Sequence, residues 1–128
     1  MKIAGLGFRD GATPAALLDA LARAGAAGVR HLALPARKDG HPLCAGLRAQ
    51  GFTLVFIPDA TLAATETPTQ SPVALRHYGT GSVAEAAALA ALRLHDPAAR
   101  LTARLAAPRA LSADRMATAA LALTGDPE

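Results

Sequence analysis

The sequence has no tryptophan, one tyrosine, three phenylalanines and one cysteine among its 128 residues. So few rings argue against an aromatic-lined pocket and leave few platforms on which single-stranded bases stack, so no nucleic acid partner is expected. One cysteine, Cys44, excludes an internal disulfide and fits a reducing compartment, which makes the cytoplasm the default location. Long apolar runs are also missing. Arg, Asp or Pro breaks each weakly polar stretch well short of the ~20 residues that a spanning helix needs, so no membrane association is expected. The start, Met1 to Asp10, returns to charge too soon for a secretory signal. Metal-ligand spacing is absent: His41 and Cys44 stand three apart without a second ligand pair, and neither a metal nor a cofactor is expected. The net charge of +3 is small and dispersed. It favours an anionic partner, and a polycarboxylate suits it better than nucleic acid.

What is abundant is alanine and leucine, which make up most of the 52% hydrophobic content. Side chains of that size suit helices packed closely on a sheet, and the length suits one domain, residues 1–128. Lys2 to Gly7 reads as a buried strand. Thr13-Pro14 then gives a helix cap followed by proline at the first helical position, and Ala15 to Ala24 carries Leu17, Leu18 and Leu21 at helical spacing. Val29 to Leu34 is a second strand, Pro42 to Gln50 a second helix, and Phe52 to Ile57 a third strand ended by Pro58. Asp59 has the form of an N-cap for a short helical piece, Thr65 to Gln70 is a polar loop, and Ser71-Pro72 repeats the cap-plus-proline signal before a helix ending at Tyr78. A helix over Val83 to Leu94 precedes two strand-length segments, Leu101 to Ala107 and Met116 to Leu123. Their short spacing favours an antiparallel hairpin at one side of the sheet, and Thr124 to Glu128 is expected as a frayed tail. The order implies a three-layer α/β/α sandwich: a mostly parallel mixed sheet of about five strands with a C-terminal antiparallel hairpin.

The clearest punctuation is Gly79-Thr80-Gly81-Ser82-Val83-Ala84-Glu85, where two glycines lead into Ser82 and, three residues on, Glu85. This is the form of a capping box, in which serine and glutamate satisfy each other's backbone N–H groups. The same N–H groups suit a carboxylate or phosphate, although Glu85 opposes strong anion affinity there. In a parallel sheet, ligands sit beyond the carboxyl ends of the strands. That rule puts Gly7 to Thr13, Pro35 to Pro42 and Pro58 to Ser71 on one rim. Arg9, Arg37 and Lys38 lie on it, either as solvated charges or as a carboxylate clamp, and His41 is the only histidine of four on that rim. Gly5-Leu6-Gly7 with Gly11 approaches a dinucleotide fingerprint, but Arg9 and Asp10 interrupt it and no acidic residue ends the second strand. Nucleotide binding is therefore the weakest alternative.

Taken together, several motifs resemble one family. They are Gly5-x-Gly7-Phe8-Arg9, then Lys38 with Pro42-Leu43, Ser71 with Val73, the block Gly79 to Leu89 containing Ser-Val-Ala-Glu-Ala-Ala-Ala-Leu, and Thr118 to Ala120. This order is similar to the CobE family of cobalamin biosynthesis and to the C-terminal domain of CbiG, the cobalt-precorrin-5A hydrolase. Phe8, His41 and Arg109 stand where that family commonly has a cysteine, an acidic residue and a lysine. The resemblance implies a stand-alone corrinoid-pathway protein that binds a precorrin, a tetrapyrrole rich in acetate and propionate groups, with other enzymes of the pathway as further partners. The alternative it implies is a hydrolase that opens a precorrin-5A-type lactone and releases a two-carbon fragment, with His41 or Lys38 activating water. Gly5, Gly7, Arg9, Arg37, Lys38, His41, Ser71, Gly79, Gly81 and Ser82 are the candidate ligand-binding residues.

Overall fold

A computed structural model of the chain describes residues 1–98 and 102–124. Strand β1 (Lys2–Phe8) is buried from Ile3 to Gly7, and its neighbours on the sheet are parallel β2 (His31–Pro35) on one side and antiparallel β6 (Ala117–Leu123) on the other. Beyond β2 lies parallel β3 (Thr53–Ile57), an edge strand. On the other edge, β4 (Arg104–Leu105) and β5 (Ala110–Leu111) both pair with β6 in antiparallel fashion. The sheet therefore has six strands, and β6 alone runs against the other five.

The expected C-terminal hairpin is present, but its first strand is interrupted. Leu105 faces Ala122 and Ala110 faces Ala119, so four residues, 106–109, stand opposite only two, 120–121. The excess is a bulge, with Pro108 inside it, that swings residue 109 off the ladder. Leu101 lies outside the described residues. Of the expected tail, Thr124 is tied to the other end of the chain: its N–H donates to the Met1 carbonyl and its hydroxyl accepts from the Met1 ammonium. Residues 125–128 lie outside the described residues.

Helices cover both faces. Helix α1 (Pro14–Arg23) starts as Thr13-Pro14 foretells, with the Thr13 hydroxyl accepting from Ala16 N–H, and α2 (Pro42–Ala49) shares its face. There Leu17 and Leu21 of α1 and Leu47 of α2 meet Leu6, Leu32, Leu34 and Leu121 of the sheet. The opposite face carries α3 (Asp59–Ala63), α4 (Pro72–Tyr78) and α5 (Val83–His95), with Ile3, Ala33, Ile57 and Ala122 beneath α5. The alternation Ile3 to one face and Ala4 to the other is the strand period of two. One cap differs from expectation. Pro58, not Asp59, precedes α3, and the Asp59 carboxylate pairs with Arg37 instead of capping.

Helix α5 is buried around its whole circumference from Ala84 to Leu92. Such a helix needs small residues on both sides of its contact with the sheet, and β1 supplies Gly5. A Cβ there would stand 1.9 Å from the Ala84 carbonyl oxygen and 2.8 Å from Ala88 N, both rigid helix backbone. Gly5 is thus a buried packing residue under α5. Gly5→Ala should lower stability by about 3 kcal/mol or more, since neither the strand nor the helix can move aside. A urea midpoint equal to that of the parent would contradict the close approach.

Candidate functional site

The carboxyl ends of β1 and β2, helix α4 and the β5–β6 hairpin enclose a cleft of about 210 Å³. Gly7, Phe8 and Arg9 come from the end of β1, and Pro35 from the end of β2. One wall is α4, through Ser71, Val73, Ala74, His77 and Tyr78. The other is the hairpin, through Arg109, Leu111 and Arg115 to Thr118, and Val83 of α5 contributes to the base. The pairing of Phe8 with Ala117 and of Gly7 with Thr118 explains why the hairpin is here. Because β6 runs antiparallel to β1, its first residues lie beside the last residues of β1, on the rim where a parallel sheet receives ligands.

Three arginines, Arg9, Arg109 and Arg115, line this cleft, and no Asp or Glu does. Among the described residues none of the three has an acidic partner. Arg115 stands at φ 62°, in the left-handed region that side chains other than glycine and asparagine rarely adopt. The turn holding it is closely bonded. Ser112 Oγ donates to Asp114 Oδ1 at 2.6 Å and accepts from Ala117 N–H at 3.1 Å, while Asp114 Oδ1 also accepts from Met116 N–H at 3.0 Å. These bonds hold the Asp114 carboxyl below its usual range. Asp19 of α1 accepts from Ala113 N–H at 2.8 Å, which fixes the turn to the body of the protein and likewise lowers the Asp19 carboxyl.

Of the sequence-derived candidates, Gly7, Arg9 and Ser71 line the cleft. Ser71 does so as the N-cap of α4, its hydroxyl accepting from Ala74 N–H. Arg37, Lys38 and His41 stand one layer behind. Arg37 lies 4.4 Å over the Tyr78 ring while paired with Asp59 at 2.8 Å. Lys38 lies 4.8 Å from the Phe8 ring centre and is paired with Asp10 at 2.6 Å, which holds the Asp10 carboxyl below its usual range. His41 meets Phe8 edge-on at 5.0 Å, and its Nδ1 accepts from Leu43 N–H as the cap of α2. These three groups pack against Phe8 and Tyr78 and do not line the cleft themselves.

The Gly79 to Glu85 stretch is also placed differently from expectation. Gly79 closes α4 in the left-handed conformation at φ 71°, as a C-terminal glycine should. Gly79 and Gly81 line a separate depression with Thr65, Gln70 and Thr80, where the Gln70 side chain covers Gly81. Ser82 is fully buried, and its hydroxyl accepts from Glu85 N–H at 3.3 Å. Only this half of the capping box forms. The Glu85 carboxylate, with no solvent exposure, leaves its own helix: Oε1 accepts from Thr69 N–H at 3.1 Å and Thr69 Oγ1 at 2.5 Å, and Oε2 from Arg109 N–H at 2.9 Å. Thr69 leads into the α4 wall and Arg109 belongs to the hairpin wall. One carboxylate therefore fixes both sides of the cleft.

His77, Tyr78, Arg109 and Arg115 were not among the sequence-derived candidates, although all four line the cleft. A signal for the last two was present: an antiparallel terminal hairpin must return to the ligand rim, and two arginines flank its turn. Among the described residues no group of His, Cys, Asp and Glu is arranged to hold a metal ion, and no helix is long and apolar enough to cross a membrane.

Residues 2–122 match the family model described as cobalamin synthesis G C-terminus. The crystal structure of CobE, a protein from the cobalamin (vitamin B12) biosynthetic pathway, is 33% identical, with a TM-score of 0.80 over 98% of this chain and 93% of that one. The cobalamin biosynthesis protein chiG from Agrobacterium tumefaciens is 32% identical, with a TM-score of 0.66 over 98% of this chain and 100% of that one. No curated protein matches significantly.

The bonding of Glu85 sets a measurable cost. Glu85→Gln retains the volume but turns one acceptor into a donor facing Thr69 or Arg109, and should lower stability by about 1–3 kcal/mol. Glu85→Ala orphans all three donors and should cost more, while Ser82→Ala should cost about 1 kcal/mol. Denaturant unfolding checks the order, and a Glu85→Gln protein as stable as the parent would refute the role given to this carboxylate.

Proposed function

The chain belongs to the cobalamin synthesis G C-terminus family and is a cobalamin-biosynthesis protein of the CobE/CbiG type; from that premise we propose that its arginine cleft binds a polycarboxylate tetrapyrrole intermediate of the corrin pathway and presents it to the enzymes that act on it. The observation that carries this reading is the cleft lined by Arg9, Arg109 and Arg115 without one acidic residue. Guanidinium groups bind carboxylates in bidentate fashion, and acetate and propionate side chains supply such groups around a tetrapyrrole. Thr118, Tyr78, Phe8, Val73 and Leu111 line the same cleft and give it polar and apolar surface beside the arginines.

Binding is better supported than lactone hydrolysis by what surrounds the candidate bases. Lys38 is engaged by Asp10, and His41 accepts a helix N–H through one ring nitrogen while the other lies 3.3 Å from the Asp10 carbonyl oxygen. His77 reaches the cleft, but no carboxylate lines it to orient that ring for general-base work.

Absorption titration with precorrin intermediates tests the proposal. The parent protein should shift the tetrapyrrole spectrum without turnover. Arg109→Ala should weaken binding about tenfold with little change in thermal unfolding, because it removes the guanidinium and keeps the N–H that Glu85 needs. Arg115→Gly should weaken binding similarly while leaving stability equal or up to about 1 kcal/mol higher, since glycine relieves the left-handed backbone. Release of a two-carbon product would favour the hydrolase, and absence of any spectral shift would refute binding.

A further inference from the structure

Building on the tetrapyrrole reading above, we infer that the ligand is held by its edge: adjacent carboxylates of one side of the ring enter between the arginines, and the macrocycle lies outside the cleft. Size decides this. Pockets that enclose a drug-sized ligand run from about 300 to 1,000 Å³, whereas this cleft holds about 210 Å³ and a tetrapyrrole is larger than most drugs. The cleft does have room for two carboxylate-bearing arms.

The distribution of side chains agrees. Arg109 is half-buried, whereas Arg9 and Arg115 are exposed. Val73 on α4 and Leu111 on β5 are 48% and 37% exposed, one on each wall, where a flat apolar ring that emerges between the walls would meet them. In this arrangement the ring centre touches no protein group. The affinity therefore depends on peripheral carboxylates and not on whether a metal occupies the ring, and most of the ring remains open to a second protein.

A porphyrin series tests the inference on the intact chain. Uroporphyrin, an octacarboxylic ring, should bind at least about tenfold more tightly than dicarboxylic deuteroporphyrin at equal ionic strength, by fluorescence titration. Inserting zinc into uroporphyrin should change its affinity by less than about twofold, which is a small fraction of the free energy of one charge-assisted contact. Arg115→Ala should reduce the preference for the octacarboxylic ring. If precorrin intermediates bind while the porphyrin series shows equal affinities or a strong zinc dependence, edge-on holding is overturned and the tetrapyrrole reading stands. If no tetrapyrrole binds at all, the reading itself fails, and the inference with it.

Discussion

The buried carboxylate of Glu85 is the constraint on which the site depends. A desolvated charge is tolerated only where donors replace water, and the three donors here come from residues far apart in sequence, Thr69 and Arg109. Each donor belongs to a segment with little core of its own. Helix α4 has no buried residue, and residues 107–109 have left the β ladder after the Ala106 N–H bond to the Leu121 carbonyl. Helix α4 is also tied at its start by Ser71 N–H donating to the Gly81 carbonyl at 2.7 Å. Walls that packing alone would leave loose are thus referred to one rigid point.

That point is rigid because of how α5 meets the sheet. Alanine on the helix and Gly5 on β1 let the two backbones approach to a distance that excludes even a methyl group. The scarcity of aromatic residues and the excess of alanine, which first appear as a composition, are the same fact as this short distance. Larger side chains would lift α5, and Glu85 in its first turn would no longer reach both walls. The bulge in the edge strand lies just before the residue whose N–H reaches the Glu85 carboxylate, Arg109.

Most of the fold is legible in the sequence because its signals are local. Thr13-Pro14, Ser71-Pro72 and Gly79 each act within one turn of chain, and each forms the expected cap. The exceptions are residues whose side chains choose distant partners. Asp59 has the form of a cap and pairs with Arg37, and Glu85 has the form of a capping-box glutamate and bonds across the cleft. Polar contacts between remote segments leave no period or spacing to read. The rim position of Gly7, Arg9 and Ser71 follows from the parallel-sheet rule, whereas Arg37, Lys38 and His41, on the same rim in sequence, turn towards Tyr78, Phe8 and Asp10. Strand ends locate a loop but not the direction of its side chains.

Charge is the property that the sequence conceals most fully. A net charge of +3 spread along 128 residues suggests no footprint, yet two groups of cations stand apart in the structure. Arg23, Arg37 and Lys38 are answered by Asp19, Asp59 and Asp10, and none of them lines the cleft. Arg9, Arg109 and Arg115 line it with no acidic partner among the described residues. Glu85, the acid nearest them in the fold's logic, gives its oxygens to N–H and O–H donors, and its place in the first turn of α5 sets the helix dipole against its charge. Its negative charge is therefore compensated within the protein, and the field of the arginines is left to the cleft. A modest net charge becomes a local one because the neutralising carboxylates are held elsewhere.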